Sequence, residues 1–170
     1  KPGALFVGRR QRDPDCSARS LVEVAEGGTG GIAVRLDEAH HYQVETGNGT
    51  KNGKVVVYDP QRDLAVIHVP GLNAAVLPFA PKQAQSGADA VVLGYPLDGP
   101  YDAQEARVRE VRNITGPDIY DDGQVTREVY TIKALVRSGN SGGPLMSSDG
   151  TVLGIIFAAA ADDEHTGFAV

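Results

Sequence analysis

The chain has 170 residues, of which 41% are hydrophobic and 22% charged, so it contains enough apolar material for a globular core. Its formal net charge of −6 argues against a nucleic-acid partner, because phosphate binding needs a basic surface. There is no apolar run of the roughly 20 residues that a membrane helix needs, and no CxxC pair, HExxH sequence or glycine-rich phosphate loop. We therefore predict neither a metal nor a cofactor.

Taken in chain order, the sequence divides into four parts. Residues 1–18 are charged and predict an N-terminal arm. Residues 19–70 predict a first β-barrel, residues 71–89 a connector, and residues 90–170 a second β-barrel that is incomplete at its C-terminus. Short strands separated by frequent turns are typical of an all-β protein built from two barrels.

The division into two barrels rests on two series of strand-like stretches. In the first part they are 19–25, 30–36, 42–46, 53–58 and 64–69, and in the second 90–95, 106–112, 126–135, 143–146, 151–157 and 166–170. Asn48-Gly49 and Asn52-Gly53 predict hairpin turns in the first barrel. Residues 97–104 and 113–124 are rich in Asp, Gly and Pro and predict loops in the second.

The most informative segment is 138–144, which reads Ser-Gly-Asn-Ser-Gly-Gly-Pro. A serine on a tight glycine turn suits a nucleophile, because Gly139 can adopt backbone angles that are closed to other residues. The N–H groups of Gly139 and Ser141 can then stabilise the negative oxygen of a tetrahedral intermediate while the Ser141 hydroxyl attacks a carbonyl carbon. The alternative interpretation is a glycine- and serine-rich hairpin loop.

A serine nucleophile needs a base to take its proton and a carboxylate to orient that base. The best candidate for the carboxylate is Asp63, which directly precedes the apolar stretch 64–69, whereas Asp59 fits a turn-capping role better. Four histidines are available as the base: His40, His41, His68 and His165. We expect His68 to be packed or at a barrel end, and His165 to be solvated.

Four segments carry a resemblance to a known family: YDPQRDLAVIHVPGL (58–72), SGADAVVLGYP (86–96), GPDIYDDGQVTREVYTIKALVRSGNSGGPL (116–145) and GTVLGIIFAAAADDEHTGFAV (150–170). They resemble the chymotrypsin-fold serine proteases, specifically the HtrA/Deg-like branch. Within that branch they are most similar to the membrane-anchored acid-resistance proteases of actinobacteria (MarP type). The resemblance is nearly continuous from about residue 55 to the end.

The resemblance implies two six-stranded antiparallel β-barrels with the active site in the cleft between them. It implies a serine endopeptidase acting on protein or peptide substrates, with Ser141 as nucleophile, His40 as base and Asp63 as the orienting acid. Gly139 and Ser141 would form the oxyanion hole. The primary substrate pocket would have Leu135 at its floor, with the wall and opposite side formed by Phe157, Ala158, Ala159 and Gly167. None of these is acidic, so we expect the pocket to take an apolar side chain of modest size.

The histidine is where the chain departs from this family. Family members carry G-T-G-F and then T-N-A-H or T-A-A-H, but here Gly28-Thr29-Gly30 is followed by Gly31, and Asp37-Glu38 precedes Ala39-His40. Three explanations stay open: a shorter loop that retains His40 (or uses His41), residues absent between about 25 and 55, or loss of the base. The last would make the chain a pseudo-protease, a binding or chaperone-like module. A non-proteolytic esterase is a further alternative.

The remaining expectations concern the surface and the chain ends. The segment ADDEH (161–165) resembles a metal-ligand cluster, but consecutive residues of a short turn point apart, so we expect a solvated turn. Lys1 suggests an excised fragment, and the resemblance implies a C-terminal helix beyond Val170. It also implies a late cysteine that could pair with Cys16, and an extracytoplasmic (periplasmic or cell-surface) location with a parent anchored by helices absent from this segment.

Overall fold

The computed structural model describes residues 42–46, 49–72, 76–118, 120 and 122–170, and these consist almost entirely of β-strands. Contacts divide the chain into two compact units. Of the described residues, the second unit contains Pro60–Asp63 and those from Leu77 to Val170, and the first unit contains the others. The described part of the chain contains no helix long and apolar enough to span a membrane.

The described strands of the first unit form a three-stranded antiparallel sheet in the order β1-β2-β3. Their bounds are Tyr42–Thr46, Gly49–Asp59 and Leu64–His68. The turn predicted at Asn52-Gly53 is wrong, because β2 continues through it and Gly53 pairs with Tyr42. The ladder of backbone hydrogen bonds here outweighs the local turn preference. The predicted arm and the strands at 19–25 and 30–36 lie outside the described residues.

The second unit contains a closed six-stranded barrel in the order β4-β5-β6-β9-β8-β7, with all pairs antiparallel. Its strands are β4 (Asp89–Gly94), β5 (Asp102–Pro117), β6 (Gln124–Lys133), β7 (Pro144–Ser147), β8 (Val152–Ala159) and β9 (Thr166–Ala169). A short 3-10 turn, Pro96–Asp98, follows β4. Closure leaves no free sheet edge, which protects the short strands from pairing with other chains.

Alternation of apolar and polar residues explains how these strands build the barrel core. In β4, Ala90 and Val92 are buried, and both belong to the core cluster with Val108, Ile132, Leu145 and Ile156. The alternation in β5 breaks at a register shift between Val108 and Glu110, after which Val111 packs against the core. A β-bulge has this effect because one extra residue reverses which face the following side chains occupy.

Two predicted loops of the second barrel are partly strand. β5 begins at Asp102, inside the loop predicted at 97–104, and it runs to Pro117, inside the loop predicted at 113–124. The β5–β6 pairing continues this far, and the Thr115 and Thr126 hydroxyls lie 2.9 Å apart across it. The all-β prediction is confirmed. The predicted boundaries of arm, barrels and connector stay predictions.

Candidate active site

Ser141 lies in the tight turn between β6 and β7, and its side chain is exposed. Two backbone hydrogen bonds hold the turn: Asn140 N–H donates to the Arg137 carbonyl (3.0 Å) and Gly143 N–H donates to the Asn140 carbonyl (2.9 Å). Together they close a tight turn, and the Ser141 side chain lies at the apex of that turn. An exposed hydroxyl on a rigid turn is the geometry that a nucleophile needs.

The segment after β4, residues 95–97, packs against this turn. Leu97 N–H donates to the Ser138 carbonyl at 2.7 Å. Gly139 has φ +95, and a side chain there would overlap the Tyr95 carbonyl oxygen. Only glycine satisfies both the left-handed backbone and this close approach, so the glycine before Asn140 is required by the shape of the turn.

The backbone N–H groups of the turn fall into two sets. Those of Asn140 and Gly143 are used inside the turn, and Gly142 N–H donates to the Ile156 carbonyl of β8 at 2.7 Å. Those of Gly139 and Ser141 make no hydrogen bond to any residue that the structure describes. Within the described part of the chain, the two N–H donors on either side of Asn140 therefore have no acceptor.

Asn140 is a residue of the site that the sequence analysis missed. Its side chain is 1% exposed, and its Oδ1 accepts the Arg137 N–H at 2.9 Å. Its Nδ2 is also buried and has no hydrogen-bond partner among the described residues. A polar side chain immediately before an exposed serine gives no sequence signal of burial, since its enclosure depends on how the turn packs on the barrel.

Asp63 ends the turn Pro60–Asp63 and directly precedes β3. It is half-buried, it has φ +59, and contacts group its turn with the same unit as Ser141. The left-handed region is open to aspartate at lower cost than to most residues, which is consistent with an acid at this position.

The histidines divide between described and undescribed parts of the chain. His40 and His41, the predicted bases, lie outside the described residues, as does Cys16. His68 ends β3 and is exposed, so of the two positions expected for it, packed or at a barrel end, it does not occupy the packed one. His165 is also exposed, with its Nε2 3.5 Å from Glu164.

Of the predicted pocket residues, Leu135 follows β6 and is half-buried. Ala159 of β8 pairs with Gly167 of β9, and a side chain at Gly167 would overlap the neighbouring Val136. The end of β8, the start of β9 and the segment after β6 therefore meet. On β8, the Phe157 ring lies 6.4 Å from the Phe168 ring.

The loop that leads into β9 is organised by Asp163. Its carboxylate accepts the Thr166 hydroxyl at 2.6 Å and the His165 N–H at 3.0 Å, and Arg109 lies 3.6 Å away. The Thr166 hydrogen bond, followed by that from His165, lowers the pKa of Asp163. In the described part of the chain, no group of His, Cys, Asp and Glu side chains is arranged to hold a metal.

Known proteins similar to this chain are serine proteases. Residues 17–155 match the model of the trypsin-like peptidase domain. Serine protease Rv3671c of Mycobacterium tuberculosis is 49% identical over 131 residues, which are 76% of this chain and 33% of that protein. A Chlamydia muridarum protein named probable periplasmic serine endoprotease DegP-like is 30% identical over 122 residues, which are 71% of this chain and 24% of that protein.

Among solved structures, the active form of the Rv3671c protease superposes with a TM-score of 0.73 at 48% identity, covering 77% of this chain and 58% of that chain. The chain spans about a third of the length of Rv3671c and about a quarter of the length of the Chlamydia muridarum protein. A trypsin-like match over 17–155 covers most of the chain and coincides with a closed six-stranded barrel and an exposed serine turn. The chain belongs to the trypsin-like peptidase domain family.

Proposed function

We propose that this domain is an endopeptidase that cleaves peptide bonds through an acyl-enzyme formed on Ser141. His40 is the base and Asp63 the acid that orients it. The observation that carries the proposal is the pair of N–H groups at Gly139 and Ser141 that have no acceptor in the described part of the chain. Two such donors beside an exposed hydroxyl suit an oxyanion hole.

The reaction proceeds in two steps, formation of the acyl-enzyme and its hydrolysis. Ser141 Oγ attacks the peptide carbonyl carbon as its proton passes to the imidazole of His40, and the carbonyl oxygen takes the negative charge between the two N–H groups. Collapse breaks the C–N bond, and the imidazolium returns the proton to the leaving amine. Water then attacks the ester by the same route, which regenerates the serine. Asp63 holds the second ring nitrogen throughout and stabilises the imidazolium.

For specificity, we propose that the side chain before the cleaved bond is apolar and of modest size. It would lie against Leu135, against Phe157, Ala158 and Ala159 of β8, and against Gly167. The meeting of β8, β9 and the segment after β6 supports a common pocket for these residues. None of them carries a charge, so a basic guest would have no counter-ion.

For the parent protein, we propose an extracytoplasmic location, membrane anchoring by segments outside this chain, and a role in acid resistance. The resemblance described above supports all three. The relative from Chlamydia muridarum, named as periplasmic, supports the location. Protease-protection of an epitope-tagged parent in intact cells tests the location, and survival of a deletion strain at low pH tests the role.

The activity is tested with a fluorophosphonate label, which reacts only with an activated serine, and with matched peptide amide and ester substrates. Ser141→Ala should abolish labelling and lower kcat by about 10⁴-fold or more. Ser148→Ala, an exposed serine seven residues later, is the matched control and should leave both unchanged. Full labelling of the Ser141→Ala protein would refute the assignment.

The same assays separate the alternatives. His40→Ala and His41→Ala, measured separately, identify the base, because only loss of the base should remove labelling. A folded wild-type chain that is never labelled would support the pseudo-protease. Turnover of the ester without the amide would support the esterase.

A further inference from the structure

Arg127, on β6, makes a hydrogen bond to the turn that contains Asp63. Its Nε donates to the Gln61 carbonyl at 2.5 Å, two residues before Asp63. Its Nη1 donates to the Pro117 carbonyl at 3.1 Å, and its Cζ lies 6.0 Å from the centre of the Phe157 ring. Contacts group the turn Pro60–Asp63 with the same unit as Arg127, so all these partners lie in one unit.

Arginine suits this position because its guanidinium is planar and has several donors in fixed directions. One nitrogen binds the Asp63 turn and another the end of β5, while the plane lies near the aromatic ring at about the limiting distance for a cation–π contact. A lysine has a single charged nitrogen and could not reach all three partners together. The three contacts therefore fix the position of the guanidinium, and through it the Gln61 carbonyl.

The backbone of the turn needs this support. Asp63 has φ +59, a conformation that costs aspartate less than most residues but more than glycine, so contacts that fix the turn help to hold it. A charge-assisted hydrogen bond to the carbonyl two residues earlier is such a constraint. Without it the turn can relax, and the carboxylate of Asp63 moves with the backbone.

From these contacts we infer that Arg127 is a positioning residue for Asp63, acting through the Gln61 carbonyl. The inference rests on the proposed function, in which Asp63 orients the base. Arg127 touches neither substrate nor reacting atoms in this role. It sets how well the carboxylate reaches the imidazole, so its loss should lower kcat much more than it changes KM.

The pH profile distinguishes positioning from a purely structural role. A carboxylate beside the imidazole stabilises its protonated form and raises its pKa. When the carboxylate moves away, that pKa falls, and the acid limb of the kcat/KM profile shifts to lower pH. A variant that merely folded less well would lose active enzyme with no shift of this limb.

The test is a double-mutant cycle on the full chain with Arg127→Ala and Asp63→Asn. Asparagine tolerates the left-handed backbone as aspartate does, so the second variant removes the charge and keeps the turn. Arg127→Ala should lower kcat by about 10- to 100-fold with KM little changed, since small misplacements of a catalytic group cost this much. In the Asp63→Asn background it should lower kcat less than about twofold, because the group it positions is already disabled.

Two further variants complete the design. Arg127→Lys keeps the charge and should restore part of kcat. Arg107→Ala, which removes an exposed ion pair to Asp89 (2.6 Å) on the same barrel, is the control and should change kcat less than twofold. Urea unfolding of each variant gives the folded fraction, so that kcat is expressed per folded molecule.

Three outcomes would overturn the inference. The first is an Arg127→Ala kcat equal to that of Arg107→Ala, and the second is a kcat/KM profile of Arg127→Ala whose acid limb does not shift. The third is that Arg127→Ala lowers kcat as much in the Asp63→Asn background as in the wild type. If Asp63→Asn itself keeps the wild-type kcat, the proposed role of Asp63 fails, and the inference fails with it. A strong effect of Asp63→Asn with none from Arg127→Ala rejects the inference alone.

Discussion

Replacement of Asn140 by Asp tests whether the serine turn depends on a neutral buried side chain. The change keeps the size of the residue and its acceptor to the Arg137 N–H. It replaces Nδ2, which is buried and has no partner among the described residues, with a second oxygen. Since Asn140 is 1% exposed and no described residue binds its Nδ2, a charge there would be buried with almost no contact with solvent.

The cost follows from the protonation equilibrium. An unpaired buried carboxylate costs several kcal/mol, so the folded chain binds a proton instead and the pKa of the new Asp rises. The unfolded chain keeps a pKa of about 3.9, so holding the group neutral costs about 4 kcal/mol at pH 7 and about 1.5 kcal/mol at pH 5. The folded pKa lies above the unfolded one, so the loss of stability is largest at high pH and vanishes below about pH 4.

The assay is urea unfolding of wild type and variant at pH 7 and pH 5, with fluorophosphonate labelling of the folded fraction. Asn52→Asp makes the same change at an exposed position of β2 that pairs with the neutral Gln43, and should alter the free energy of unfolding by less than about 0.5 kcal/mol. Asn140→Ala adds no charge and should cost about 1–3 kcal/mol at both pH values. If Asn140→Asp is as stable as wild type at pH 7, or equally destabilised at both pH values, the reasoning is wrong.

Three further predictions concern the surroundings of the turn. Gly143→Ala should greatly reduce labelling, because its Cβ would overlap the Leu93 carbonyl oxygen and push the turn away; labelling is the measurement. Leu97→Asn should raise the free energy of unfolding by about 0.5–1 kcal/mol, because Leu97 is 68% exposed and has φ +58, a region that asparagine tolerates better; urea unfolding measures it. Thr166→Val should raise the pKa of Asp163, because it removes the hydrogen bond that lowers it most; a carbon-13 titration of the carboxylate detects the change.

Each of these has an outcome that contradicts it. Normal labelling of Gly143→Ala would show that the turn absorbs a side chain, and a less stable Leu97→Asn would show that the leucine side chain contributes packing. For Asp163, the lowered pKa means that its contribution to stability is present above the ordinary carboxylate pKa and is lost as pH falls through the lowered value. Thr166→Val should move that loss to higher pH and Thr166→Ser should not, so identical titrations would reject the argument.

The class of the fold and the serine turn could be predicted from the sequence because both are local properties. Alternating apolar residues predict strands wherever one face is buried, and seven consecutive residues contain the glycines and the serine of the turn. The positive φ of Gly139 agrees with the residue type, whereas the close approach of the Tyr95 carbonyl to it is a tertiary contact.

Contacts between residues far apart in the chain were decided only by the tertiary structure. The bulge after Val108, which turns Val111 toward the core, depends on how β5 pairs with β6. The burial of Asn140 and the left-handed backbone of Asp63 have no local signature. The hydrogen bond from Arg127 to the Gln61 carbonyl joins residues 66 positions apart. A sequence pattern indicates which face of a strand is apolar. Only the packed chain determines which distant groups meet, because those contacts form between segments that folding brings together.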